Sequence, residues 1–488
     1  MKKIKWNIVL GVTSLCAFLI LLLIRLEFFH HPLNPLNNIS INPPDRSRDL
    51  WMNVYQNNKK IGFVHRMLSK DGNEFHFTEK VMMEINTMGV TQALNILTEG
   101  ILHADMTLSS FHFNLNSSMF SFTVRGHVTG DKLILLTGTP PAQQRAEIAL
   151  KDIPHMSGSI YDAAFQNDLA QGSTRRFSIF DPSTMSLRTI QVTRSPDEII
   201  PIMGERVLTK KYCVDFMGAK NCAWLDKEGN VMKEAGILGL AMEKTSKEKA
   251  LEGIARGASI DVTEVASIAS NMQIAEAATL RKLTLKIDGM DNPLSLHGDR
   301  QNYQNNILTI TREKMDVPSH EKTHFPDDAS VFLEPSPLIQ SNHPLILSQM
   351  QKIISSRDLP EQRARKIIDW IYHHIEKKPV LSVPNALEVL KNQSGDCNEH
   401  TVLTVALLRA AGIPAQPEAG LVYQRGRFYF HAWCVLYLHD QWITADAVFN
   451  QFPADVTHIR LIRGDIDQQL SLMGVIGKIK LEVLEQVK

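Results

Sequence analysis

The segment from Gly395 to Asp446 constrains the fold of this chain most, because it sets a cysteine, a histidine and an aspartate in order along a helix and two strand-like runs. Asp396 can accept hydrogen bonds from the open amides of a first helical turn, and Glu399 three residues on completes a capping-box pair. Val402, Leu403, Val405, Ala406, Leu407 and Ala410 then recur at helical period until Gly412 and Pro414 stop the helix. Cys397 falls in the first turn, where unpaired amides and the helix dipole favour a thiolate.

His431 lies in Phe428-Tyr429-Phe430-His431-Ala432-Trp433-Cys434-Val435-Leu436-Tyr437-Leu438, a run of aromatic and branched residues that reads as a strand. The break His439-Asp440 leads to a second strand from Gln441. A two-residue turn sets Leu438 opposite Gln441 and Trp433 opposite Asp446, one diagonal step from His431 on the same face. Cysteine chemistry requires such a layout. A base takes the thiol proton, and a carboxylate fixes the imidazole tautomer and stabilises its charged form.

Four motifs, in this order and spacing, resemble the signatures of the transglutaminase-like superfamily. They are Gly395-Asp396-Cys397-Asn398-Glu399-His400, Arg409-Ala410-Ala411-Gly412-Ile413-Pro414-Ala415, His431-Ala432-Trp433 and Trp442-Ile443-Thr444-Ala445-Asp446. The resemblance covers about the last third of the chain and implies a papain-like domain. It makes Cys397 the nucleophile, His431 the general base and acid, and Asp446 the orienting carboxylate. It also makes the Cys397 amide, and less directly the Gln393 side chain, candidates for an oxyanion hole. Gln416 departs from the pattern, since many relatives carry Arg after Ile-Pro-Ala.

Neighbouring candidates have simpler readings. Cys434 points away from His431 on its strand and reads as core. His373 and His374 sit on an amphipathic helix with Ile367, Ile371 and Ile375 on its buried side, so a solvated or partly packed pair is expected rather than zinc. His400 lines the helix or a pocket beside Cys397. No Walker loop, dinucleotide-binding glycine pattern, paired CxxC motif or internal repeat occurs, and no cofactor or metal is expected.

Lys2, Lys3 and Lys5 precede an apolar run from Ile8 to Ile24. The expectation is a cytoplasmic tail (1–7), an uncleaved transmembrane anchor (8–26) and a Pro- and Asn-rich spacer (27–48). The rest of the chain would then lie in the periplasm or outside the cell, anchored to a bacterial inner membrane by one helix. Lys plus Arg and Asp plus Glu each number 52, so nucleic-acid binding has no support. Length, 488 residues with 44% apolar, allows two or three domains.

Residues 49–315 read as a β-rich region, an antiparallel sheet or open barrel, either as one unit or as two subdomains with a break near 200–260. Strand-like segments are separated by turns such as Asp71-Gly72 and Gly130-Asp131. Helical pieces are expected near Ile160 to Ala170, Thr245 to Ala255 and Val262 to Ala278. Residues 316–343 read as a linker, and 344–488 as the transglutaminase-like domain. The class expected is therefore α+β with an N-terminal membrane helix. Cys213 and Cys222 would face each other across a turn at Met217-Gly218, in a non-hydrogen-bonded pair about 4.5 Å apart. A disulfide and two unrelated buried thiols are both open readings.

The expected activity is cleavage or transfer of an amide or peptide bond through a thioester, hydrolysis being favoured over cross-linking. The expected partner is a peptide or protein substrate in the cell envelope. The alternative is an inactive envelope scaffold that recognises its partner through the β-rich region. Oligomeric state is not legible.

Overall fold

The computed structural model describes residues 47–87, 89–118, 120–138, 143–216, 219–236, 239–253, 261–290, 294–315 and 327–488. They form two compact units, one within residues 47–261 and the other built from 262–380 and 384–488.

In the N-terminal unit, alternation of apolar and polar residues produces strands that bury one face. Glu74–Thr87 shows the rule, with Phe75, Phe77, Val81, Met83 and Ile85 buried and Lys80 and Met82 exposed between them. Tight turns reverse the chain between such strands. Asn57 and Asn58 both have positive φ, as does Gly72 at the next turn, the geometry that two-residue hairpins need. Eight successive strands from Arg48–Gln56 to Gln144–Ala149 pair antiparallel in sequence order. On its other side Arg48–Gln56 pairs with Leu240–Thr245, and the order runs back through the chain to His155–Met156, completing a sheet of 15 strands.

One buried ionic cluster interrupts its apolar face. Arg66 donates to Glu79 from the adjacent strand at 2.7 Å and to Glu234 at 2.9 Å, all three side chains being buried. Cys213 and Cys222 stand directly opposite in register and are joined by a disulfide, with their Cα atoms 4.1 Å apart.

The expected fold class needs correction. The described residues are mostly β, and among them the large sheet is open, with no closed barrel. Alternating strands outweigh helix because the expected central helices shrink to Ile160–Gln166, Lys247–Leu251 and Val262–Ala266. Tertiary contacts override local propensity in the last case. After Ala266 the chain turns into an edge strand, Asn271 exchanges two hydrogen bonds with the backbone of Val483, and Ile274 N donates to the Tyr423 hydroxyl. The anchor expected at 8–26 lies outside the described residues, as do the tail at 1–7 and nearly all of the spacer. Among the described residues no helix is long and apolar enough to cross a membrane. The single-pass inner-membrane location is corrected accordingly.

The C-terminal unit holds the cysteine. Its elements include β1 (Ile268–Ala269), β2 (Lys282–Asp288), β3 (Gln301–Gln304), β4 (Ile307–Thr311), α1 (Pro344–Ile353), α2 (Pro360–His374), β5 (Glu376–Lys377), α3 (Ala386–Asn392), β6 (Ser394–Gly395) and α4 (Cys397–Ala410). The strands β7 (Ala415–Gln424), β8 (Arg427–Leu438), β9 (Gln441–Ala445), β10 (Ile459–Arg463) and β11 (Lys480–Val487) follow. One sheet runs β1-β8-β7-β10, with β9 also on β8, and a second runs β3-β4-β2-β11. Helix α4 is buried from Cys397 to Arg409, packed between the other helices and the sheet.

Candidate active site

Helix α4 begins where its cap dictates. Asp396 accepts from Asn398 N at 3.2 Å, and Glu399 accepts from Asp396 N at 3.1 Å, the reciprocal capping box. Burial, the Glu399 carboxyl and the adjacent thiol push Asp396 well above the usual carboxylate range. Cys397 follows in the first turn, fully buried, with Ala432, Val448 and the half-buried Phe449 packed around it. The backbone N–H of Ala432 donates to Cys397 Sγ at 3.3 Å, which ties the helix start to the centre of β8.

The turn at His439-Asp440 sets the rest of the geometry. Both residues have positive φ, Leu438 stands opposite Gln441, and Cys434 stands opposite Ala445. Asp446 then follows β9 beside His431. His431 Nε2–H donates to Asp446 Oδ2 at 2.7 Å, leaving Nδ1 for the cysteine. Burial alone would depress His431, but the charges of Cys397 and Asp446 and the hydrogen bond to Asp446 lift it from 6.5 to about 10. The charged imidazolium is therefore the favoured form of His431.

Asp446 is held from every side. Its Oδ1 accepts from Val448 N at 2.6 Å and Phe449 N at 3.2 Å, while Oδ2 accepts from His431 and from a second histidine, His458, at 3.0 Å. Burial would raise this carboxyl; the two histidines instead hold it well below the usual range. His458 lies in the loop before β10, and its Nδ1 faces Asp455 Oδ1 at 3.3 Å. Burial is again outweighed, and hydrogen bonds and charges from Asp446 and Asp455 raise His458.

Structure thus brings Cys397, His431 and Asp446 into one buried cluster, and adds His458 and Asp455, which sequence reasoning missed. The available signal was the polar group Asp455-Val456-Thr457-His458 set between two buried strands. Gln393 is elsewhere in character, an exposed left-handed residue capping α3. Cys434 is buried in the core between helices and sheet, its thiol on Ala445 O. His373 and His374 are exposed and bond backbone carbonyls one turn back. His400 is buried with Nδ1 on Asp396 O at 2.5 Å, and burial lowers it to about 4, so it is neutral. Half-buried Lys377 on β5 stacks on Tyr372 and is lowered to about 8 by burial, against the pull of Asp446.

Metal ligation fits this cluster poorly. The ligand atoms of His431, Asp446 and His458 lie within 4.8 Å of one another. Yet both Nε2–H groups already donate to the same carboxylate oxygen, and a metal needs those nitrogens unprotonated.

A thiol at a helix start, with histidine and aspartate on neighbouring strands of an antiparallel sheet, defines a papain-like arrangement. Residues 348–447 match the sequence model of the transglutaminase-like superfamily, so the chain carries a domain of that superfamily of cysteine-based enzymes. No curated protein matches the chain. Among solved structures, a candidate cysteine protease from Cytophaga hutchinsonii is 17% identical, covering 41% of this chain and 81% of its own, with a TM-score of 0.27. A β-barrel-like protein from Brucella abortus, from a domain family of unknown function, is 9% identical over 42% of this chain and 97% of its own, with a TM-score of 0.32. A protein from Pseudomonas aeruginosa, of another such family, is 10% identical over 41% of this chain and 95% of its own, with a TM-score of 0.23. Scores this low carry no argument about activity.

Proposed function

We propose that the C-terminal unit is a cysteine acyl-transfer enzyme that cleaves an amide bond of a peptide or protein, with water as the favoured final acceptor. The observation that supports this reading is the burial of Cys397 Sγ against Ala432 N, next in the strand to His431, which in turn donates to Asp446. His431 Nδ1 takes the Sγ proton, and the thiolate adds to the amide carbonyl carbon. The backbone N–H of Cys397, in a first turn that has no intrahelical acceptor for it, faces the developing oxyanion. The imidazolium then protonates the departing amine, leaving a thioester on Cys397. Water adds to the thioester with His431 as base, the carboxylic acid departs, and the proton returns to sulfur. Hydrolysis is favoured because water requires no second-substrate site.

Full burial of Cys397 favours a second reading, a binding protein whose thiol is only core. Two measurements separate the readings. Wild-type protein and Cys397→Ala are incubated with fluorescent casein, with and without a dansylated amine. Release of casein peptides by wild type alone supports hydrolysis, and amine incorporation without release supports transfer. Slow iodoacetamide labelling of Cys397 that is indifferent to His431→Ala would sink the catalytic reading.

A further inference from the structure

The candidate triad leaves one buried titratable pair unused. Asp446 Oδ2 receives two Nε2–H donors, His431 at 2.7 Å and His458 at 3.0 Å. A carboxylate that served His431 alone would need only the first. His458 is itself fixed on every side. Asp455 Oδ1 faces its Nδ1 at 3.3 Å, the Trp433 ring meets it edge-on at 5.2 Å, and Arg300 donates to its carbonyl at 2.8 Å while pairing with Glu313. Asp455 is anchored in turn by Thr457 N and Oγ1 and by the Gln451 amide.

We propose that His458 is a positioning residue for the candidate triad, its Nε2–H holding the Asp446 carboxylate in the orientation that His431 requires, with Asp455 holding His458. This inference rests on the reading of Cys397 as a nucleophile activated by His431. Two amides on Oδ1 fix one edge of the Asp446 carboxylate, and two imidazoles on Oδ2 fix the other, so the group cannot turn away from His431. Orientation of this kind sets reactivity steeply, since small misplacements in a reacting assembly cost up to about a hundredfold in rate. The hydrogen bonds of the His458 side chain go to Asp446 and Asp455, so its hold on His431 runs through the Asp446 carboxylate.

Iodoacetamide is the probe, applied to the full chain at pH 6.5 with labelling read at the Cys397 peptide by mass spectrometry. A glutamine amide reaches the Nε2 position and an asparagine amide only the Nδ1 position. His458→Gln should therefore stay within about threefold of wild type, and His458→Asn should fall by about tenfold or more. Rescue by glutamine is a result that a packing role would not produce. Labelling of buried Cys434 reports an opened fold; if Asn causes it, His458→Met, apolar and of matching reach, takes its place. Equal rates for the Gln and Asn (or Met) variants, whether both fast or both slow, overturn the proposal. His431→Ala run in parallel keeps the two readings apart: loss there with none in the His458 variants defeats this inference alone, and no loss there defeats the triad itself.

Discussion

Asp446→Asn tests the electrostatics of the site most directly. Asparagine offers one acceptor oxygen and one donor amide in place of two acceptor oxygens. If its oxygen keeps Val448 N and Phe449 N, its NH2 group meets both the His431 and His458 donors, now 2.7 and 3.0 Å away with no acceptor between them. The charge that supports His431 disappears as well. Lifting a histidine from 6.5 to about 10 corresponds to roughly 5 kcal/mol in favour of imidazolium. Cys397 is the larger source of that lift and Asp446 the next. Losing a hydrogen bond to a charged partner costs about 1.5–3 kcal/mol, so the imidazolium form of His431 should be disfavoured roughly ten- to a hundredfold. The assay is the rate of Cys397 alkylation by iodoacetamide from pH 5.5 to 9.5. The variant should fall by that factor at pH 6.5 and recover toward wild type in alkali, where hydroxide replaces His431 as the base. A variant rate within about twofold of wild type at pH 6.5, with the same pH profile, would refute the reasoning.

Three further outcomes are expected. Arg66→Met strands the Glu79 and Glu234 carboxylates in the N-terminal unit and should cost about 3–5 kcal/mol in urea denaturation; a loss below about 1 kcal/mol would show that the cluster is already hydrated. Gly420→Ala puts a Cβ 2.0 Å from the carbonyl oxygen of Ile459, so β7 and β10 must separate, at a cost of at least about 2 kcal/mol in the thermal midpoint of the C-terminal unit. His431 and His458 are both raised in the folded state. Their contribution to stability is complete below about pH 6.5 and is lost as pH rises through the folded values, so the thermal midpoint should decline between pH 7 and 10, and less steeply in the His431→Gln/His458→Gln double variant; equal slopes would contradict the assignment.

Local chemistry was readable and long-range pairing was not. Asp396 and Glu399 carry their capping box in four residues of sequence, and His439-Asp440 carries its turn, so the Cys397 helix and the His431 hairpin follow from neighbours alone. His458 escaped because its partner Asp446 lies 12 positions back across an irregular loop, where neither helical nor strand period applies. Ile268–Ala269 looks helical in its alanine-rich surroundings, and only the exposed edge of β8 makes it a strand. The extent of the large sheet was hidden for the same reason: each hairpin is local, but the seam between Arg48–Gln56 and Leu240–Thr245 joins distant segments.

The pairing of β2 with β11 sets an order of events for the C-terminal unit. Thr284 and Glu485 are hydrogen-bonded neighbours 201 positions apart, so the helices and the thiol are synthesised before the strand that closes the second sheet. Loop closure over that span is slow. A fragment cut at residue 344 would carry β11 with its partner strand missing and an open edge ready to pair with another chain. Expression of the cysteine-bearing half by itself should therefore give aggregates, whereas a piece beginning at residue 262 retains both sides of the seam.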